Sequence, residues 1–580
     1  MTLIEPQIIL NCIGKPCHFI LFFLFIFRHF NYSPKRQFNH PMRALMMESQ
    51  LTVPTILRRA ETLFGKKEIV SCLPDKSIHR YTYHDFAKRA KKLAVALRRL
   101  GIEEGDRVAT LCWNHYQHME AYYAIPCMGA VVHPLNLRFS ADDLSYIVNH
   151  AEDKAIIVDQ VLLPLFEKFK PAVNISKIIV IQQTDEPLPL GYLNYEDVLA
   201  GGDESLFEPF EGDENTAAFM CYTSGTTGKP KGILYSHRSI MLHTMSSLIS
   251  CGDGGITERD VVLPVVPMFH ASAWGFPYIC AFVGATQVFP GPYLDADSLL
   301  ELFAAEKVTI TGGVPTVMMS ILNKLDADPN RYKLSLRTIM IGGSCAPRFM
   351  VQSFDERYGV KVLNTWGMTE LSPLGSTAIM TSEHEQASKE EQYDHAIKQG
   401  FPITLLEIRG RNEFGLIPWD GETMGELEVR GPSVAASYYG DTEPGGKFTA
   451  DGWLKTGDIA AISEDGCIEI KDRSKDVIKS GGEWISSVAL ENALMGHPSV
   501  LEAAVIGVPD QKWMERPFAY VVPREGKTIS PDELREFLAG TFAKFWIPEG
   551  YAFIDAIPKT SVGKFLKSAL RERYERENCR

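Results

Sequence analysis

No two of the eleven cysteines in this 580-residue chain stand in a Cys-x-x-Cys pair, and their number is odd. That scatter, from Cys12 to Cys579, suits free thiols in a reducing cytosol and argues against a disulfide scaffold or a cysteine-built zinc site. Positive charge is in short supply: 59 Lys and Arg stand against 72 Asp and Glu, a net charge of −13. A nucleic-acid partner needs a basic face, so that class is set aside, although a few local Lys and Arg still suffice to hold phosphates. Long apolar runs are missing too. Phe19–Phe27 holds nine apolar residues, where a spanning helix needs about 20, so no integral membrane span is expected. The chain shows no internal repeat, no low-complexity tract and no Gly-x4-Gly-Lys-Ser/Thr loop of the Walker type.

What is present is an ordinary globular balance, 45% apolar and 23% charged, over a length that implies two or three domains. Residues 1–46 carry no structural pattern. Lys15 precedes the apolar run, but Arg28 to Arg36 follows it where a small-x-small cleavage site would stand. Two readings of this segment remain: a mis-assigned start, with Met42, Met46 or Met47 as the true one, or a membrane-contacting anchor. From Thr82 a helix is legible. Thr82 caps it with Asp85 three residues on, and Phe86, Ala90, Leu93, Leu97 and Leu100 recur at helical spacing until Gly101. Gly105–Leu111 reads as a turn into a buried strand. Short β-branched runs at Val308–Thr311 and Thr338–Ile341 each lead into a pair of glycines. Strands alternating with amphipathic helices imply a layered α/β architecture with ligands at strand ends. Ser382–Lys398 reads as a solvated loop or surface helix. Gly425–Arg430 and Cys467–Ile470 read as β-hairpin material, and a boundary falls at Asp472–Lys475. Beyond it, strands near Ala503–Ile506 and Ala519–Val522 belong to a small domain of mixed α/β type.

The most informative segment is Tyr222-Thr-Ser-Gly-Thr-Thr-Gly-Lys-Pro-Lys-Gly232. Small hydroxylated residues and glycines let backbone N–H groups and hydroxyls wrap an anion, and Lys229 and Lys231 add charge. This string resembles the phosphate loop of the adenylate-forming (AMP-binding) superfamily, which includes acyl-CoA synthetases, peptide-synthetase adenylation domains and luciferases. The resemblance runs in order from about residue 51 to 567. Pro267-Met-Phe-His270 looks like the block whose histidine borders the acyl pocket, and Gly342-Gly-Ser-Cys-Ala-Pro347 looks like the adenine-binding turn. Trp366-Gly-Met-Thr-Glu370 matches a block usually opened by tyrosine. Trp453-Leu-Lys-Thr-Gly-Asp458 carries the ribose-binding aspartate. Asp472-Arg-Ser-Lys475 matches the hinge, and Pro558-Lys-Thr-Ser-Val-Gly-Lys564 the C-terminal lysine block.

The resemblance implies an α/β fold: a large, multi-lobed N-terminal AMP-binding domain (47–471) with layered sheets and a β-barrel-like part, a hinge (472–475), and a small mobile α+β C-terminal domain (476–580). It implies an acid–CoA ligase that converts a fatty acid and ATP to an acyl-adenylate and pyrophosphate, then passes the acyl group to CoA with release of AMP. Aryl-acid ligation, or delivery to a carrier-protein thiol, is the alternative. Thr223, Ser224, Gly225, Thr226, Thr227, Gly228 and Lys229 are implied to hold the triphosphate. Gly343, Ser344 and Trp366 are implied at the adenine, with Asn364, Thr365, Gly367 and Thr369 as further cofactor-binding residues, Asp458 and Arg473 at the ribose and Trp484 near the adenylate; Lys475 is implied as the hinge lysine, and Gly482 leaves room for the pantetheine arm of CoA. Glu370 with Ser224 is implied to bind Mg²⁺, a hard cation suited to few carboxylates plus phosphates. A carboxylate is already ionised at pH 7, so adenylation needs positioning and cations rather than a base. Lys564 is assigned that charge in the first step, with Thr226 beside it, and Lys479 the oxyanion in the second. His270, Trp274 and Gly313 are implied to line the acyl pocket, with Trp274 closing its tunnel; alone, His270 and Trp274 read equally as core residues. The resemblance also implies a cytoplasmic enzyme and makes a homodimer plausible.

Overall fold

The computed structural model describes residues 44–223, 229–441, 446–481, 483–559 and 565–578. Residues 1–49 and 50–580 separate into two units. Of the first, residues 44–49 have no regular secondary structure and are exposed; the rest of the unpatterned N-terminal segment lies outside the described residues. Within the second unit, no helix among the described residues is long and apolar enough to cross a membrane.

Two large sheets dominate. A nine-stranded sheet has a parallel centre, where Val261–Pro264, Ile310–Gly313, Thr338–Ile341 and Lys361–Gly367 lie side by side. A seven-stranded sheet is parallel except at the Ala217–Tyr222 and Gly232–Ser236 edge. The helix Tyr116–Cys127 packs against strands of both sheets and is buried at every position, its polar Gln117, His118 and Glu120 included. The barrel-like part takes the form of a five-stranded antiparallel sheet, in which Gly425–Arg430 pairs with Leu454–Ile462 and that strand with Ile468–Arg473. The last lobe is α+β: an antiparallel Val500–Asp510 and Met514–Pro523 pair, a parallel strand Gly550–Phe553, and the helices Ser487–Met495, Pro531–Ala539 and Lys567–Asn578.

The helix from Thr82 forms as its sequence requires, over Tyr83–Arg99, with Thr82 and Asp85 in a reciprocal capping box. The strand expected at Val308–Thr311 starts two residues later. Lys307 takes φ +53° and the Val308 N–H returns to Phe303 O at 3.0 Å, so these residues finish the preceding helix. Ser382–Lys398 forms two short helices capped by Thr381 and Ser388.

One buried charge in the central helix needs explanation. Glu120 is 0% exposed, and its carboxylate accepts from Arg89 Nε at 2.7 Å and from the Tyr195 hydroxyl at 2.7 Å. Burial raises its pKa while Arg89 pulls it back. Arg89→Leu should therefore cost about 3–5 kcal/mol, the scale for stranding a buried charge. Urea unfolding measures this; a loss under about 1 kcal/mol would contradict it.

Candidate functional site

A cavity of about 1040 Å³ opens where the parallel strands of the nine-stranded sheet end. Their shared direction delivers Val265, Gly313, Gly342 and Gly367 to one wall, the position at which open α/β sheets take ligands. Two glycines here are required. Gly343 has φ +86°, and a Cβ on Gly342 would lie 2.8 Å from Thr365 Oγ1 and 3.0 Å from the tip of the Trp274 indole.

One flank is built around Asp458, which is 2% exposed. Its two oxygens are shared between Arg473 Nε at 2.8 Å and the Trp366 indole N–H at 2.9 Å. Arg473 stands opposite Asp458 in the strand register. The tryptophan that replaces the usual tyrosine thus brings a donor of its own, and its ring packs on Gly375. Trp366, Thr365, Gly367, Thr369, Arg473 and Lys475 all line the cavity, with Asp458 directly behind Trp366 and Arg473. Burial lowers the pKa of Lys475.

The next flank is the root of the Gly/Thr loop. Thr223 donates its N–H to Lys231 O at 2.9 Å, and Lys231 N–H returns to Thr223 Oγ1 at 3.3 Å. Lys231 also pairs with Asp441 at 3.1 Å. Glu370, 6% exposed, accepts from the Tyr438 hydroxyl at 2.6 Å. A buried carboxylate with one oxygen so occupied keeps lone pairs for a hard cation, so the donor set fits Mg²⁺.

Part of the lining is apolar. Leu248, Cys251, Ile256, Phe276, Ile279 and Met340 line the cavity and belong to one apolar cluster that Trp274 packs against, and His270 and Trp274 line the cavity too. Trp274 is placed there by unusual backbone: Ala271, Ser272, Ala273 and Trp274 all have φ between +42° and +55°. Left-handed geometry costs L-residues roughly 1–2 kcal/mol each. Gly275 continues the turn at φ +82° and leaves room for His243. His243 accepts from Leu374 N–H at 3.1 Å, and burial pushes its pKa down to about 3, so the ring is neutral.

Some expected residues are not brought in. Ser344 is exposed, and Asn364 turns its amide to Ile397 O and Lys398 O at 2.9 and 2.8 Å. Lys479 is exposed and pairs in register with Trp484, and neither lines the cavity in this arrangement of the C-terminal lobe. Ser224, Gly225, Thr226, Thr227, Gly228, Gly482 and Lys564 lie outside the described residues; Phe565, Lys567 and Arg571, just beyond Lys564, line the cavity. Sequence reasoning missed Tyr146, His150, His243 and Tyr438, which no local motif marks. A second cluster, Cys112, His115 and Asp159, has metal-like spacing but is buried. His115 bonds Asp159 at 2.8 Å and caps the His118 N–H, and Asp159 also takes the Trp113 N–H, so it reads as a helix-start anchor.

Residues 57–439 match the model of the AMP-binding enzyme family, and residues 489–564 that of the AMP-binding enzyme C-terminal domain. The chain belongs to the AMP-binding enzyme family. It is 49% identical over 533 residues to a long-chain-fatty-acid–CoA ligase of Thermus thermophilus, covering 91% of this chain and 97% of that one. A medium-chain-fatty-acid–CoA ligase of Ectopseudomonas oleovorans is 39% identical, over 92% and 98% of the two chains. Among solved structures, an anthranilate CoA ligase in complex with anthranoyl-AMP superposes with TM-score 0.82 at 25% identity, over 91% and 98% of the chains.

In this AMP-binding enzyme, Asp458→Ala should weaken ATP and AMP alike, by about 10²-fold. It removes two charge-assisted or buried contacts that fix cavity-lining groups, each worth about 1–3 kcal/mol. Calorimetric titration with both nucleotides checks this; weakening confined to ATP would contradict it.

Proposed function

We propose that the acid is a fatty acid. The chain is an ATP-dependent acid–CoA ligase of the AMP-binding enzyme family, and the observation that favours an alkyl acid is the apolar part of the cavity lining that packs with Trp274, read here as an arm for the acyl chain. The names of the two fatty-acid ligases above support the same reading. The aryl alternative is the weaker one, because the anthranilate ligase is 25% identical to this chain against 49% and 39% for the two fatty-acid ligases.

In the first step the acid's carboxylate oxygen attacks the α-phosphorus of ATP. A new O–P bond forms, the α–β bridging bond breaks, and pyrophosphate leaves. Two anions must approach, so the chain's contribution is placement and positive charge. Trp366, Asp458 and Arg473 hold the nucleoside, while Ser224, Thr226, Thr227 and Lys229 receive the phosphates. Lys564 supplies charge at the acid and the bridging oxygen. Glu370, with Ser224, would hold Mg²⁺, which when bound neutralises phosphate charge. In the second step the CoA thiol gives up its proton to solvent and its sulfur attacks the acyl carbon: a C–S bond forms, the bond from the acyl carbon to the phosphate oxygen breaks, and AMP departs. Rotation about Lys475 would bring Lys479 and Trp484 to the cavity, with Lys479 at the oxyanion. The proposal includes a cytoplasmic location and a homodimer, both on family resemblance.

A series of straight-chain acids tests the substrate class. Each methylene that stays within the arm should raise kcat/KM about 3- to 4-fold, the equivalent of about 0.8 kcal/mol, until the arm is full. Benzoate used faster than every straight-chain acid of about eight or more carbons would refute the alkyl assignment.

A further inference from the structure

Five aromatic rings, of Tyr222, His133, His150, Tyr146 and Tyr439, cluster at the feet of the Gly/Thr loop. Tyr222 ends one strand and faces Gly232, the first residue of the next, across the loop root. Its ring lies over that glycine: a Cβ on Gly232 would meet Tyr222 Cζ at 3.0 Å. The Tyr222 ring therefore packs against both feet of the loop. The ring is held on one face by His133, at 5.2 Å between centroids, and its hydroxyl shares a 2.7 Å hydrogen bond with His150 Nδ1. Burial raises the Tyr222 pKa far out of the working range, so the hydroxyl keeps its proton.

His150 is fixed in turn. It stacks on Tyr146, four residues back on the same helix, at 5.3 Å, and meets the edge of Tyr439 at 5.4 Å. Tyr439 donates its N–H to Gly232 O at 2.8 Å, closing the ring of contacts on the second foot. Tyr146 also carries Lys229, whose Nζ lies over the ring at 4.5 Å from its centroid, a cation–π distance. Tyr146, His150, Lys229 and Tyr439 all line the cavity.

We propose that Tyr146 and His150 are positioning residues for the polyphosphate of ATP, His150 by fixing Tyr222 at the loop's feet and Tyr146 by aiming Lys229. The inference rests on the ATP-dependent reading above. Trp366, Asp458 and Arg473, which the proposed function assigns to the nucleoside, make none of these contacts, so the effect should be confined to the phosphates that AMP and an acyl-adenylate lack.

The test measures the affinity of a non-hydrolysable ATP analogue and of AMP for Tyr222→Phe, His150→Ala and Tyr146→Leu. Analogue binding should weaken about 3- to 10-fold in each, with AMP affinity and thioester formation from synthetic acyl-adenylate held. Tyr146→Phe, which keeps the ring, and His150→Asn, which keeps a polar atom near the Nδ1 position, should recover most of the loss. Tyr222→Phe combined with His150→Ala should be no weaker than the weaker single variant, because both remove one hydrogen bond. Equal weakening of AMP and analogue, unchanged analogue binding, or additive loss in the double variant would each overturn the inference. Failure of the unaltered protein to bind the analogue would instead overturn the ATP reading itself.

Discussion

The site depends on one buried carboxylate. Asp458 is taken out of water in the middle of the antiparallel sheet, and a charge there persists only if neighbours replace the lost solvent. Those neighbours come from different parts of the fold: Arg473 from the strand that leads into the C-terminal lobe, and Trp366 from the nine-stranded sheet. Satisfying one anion therefore locks three pieces into register and brings their side chains to the same cavity. Glu370 and Tyr438 repeat the device on the next flank, and Glu120 with Arg89 in the central helix. Each is a buried acid whose partner lies far away in sequence.

That separation explains what was legible in the chain and what was not. Local order was legible because it is made of neighbours: the Thr82–Asp85 cap and the Thr338–Ile341 strand with its glycine pair form from contiguous residues, whereas Gly425–Arg430, read as hairpin material, is a strand paired with the sequence-distant Glu407–Asn412 and Leu454–Ile462. The blocks around His270, Gly342, Trp366 and Arg473 were legible by resemblance, and they do converge on one cavity. Asn364 shows the limit, since it sits inside such a block yet bonds the backbone at Ile397 and Lys398. Tyr146 and His150 were invisible because their helix precedes the loop they support by some seventy residues, and only the packing of two strands and a helix joins them. The start of the strand at Ile310 was missed because the preceding helix takes two further residues to close.

The acid end follows a different logic. The left-handed run Ala271–Trp274 is backbone that L-residues avoid, and such strain persists only where surrounding contacts fix it. Here Gly275 packs on His243, and His243 holds the Leu374 N–H beyond Glu370. The turn that sets the Trp274 indole against Gly342 is thus tied to the turn that carries Glu370. A neutral histidine suits that task, because a charge at this depth would oppose the apolar arm beside it.

One cavity is expected to make an acyl-adenylate before CoA takes part. The most direct measurement is a rapid-quench experiment with enzyme in excess over ATP and a saturating straight-chain acid, first without CoA and then with it added. The account predicts pyrophosphate and enzyme-bound acyl-adenylate in equal amounts before CoA, and conversion of that adenylate to acyl-CoA and AMP afterwards. Release of ADP and phosphate, or no pyrophosphate until CoA is present, would contradict it.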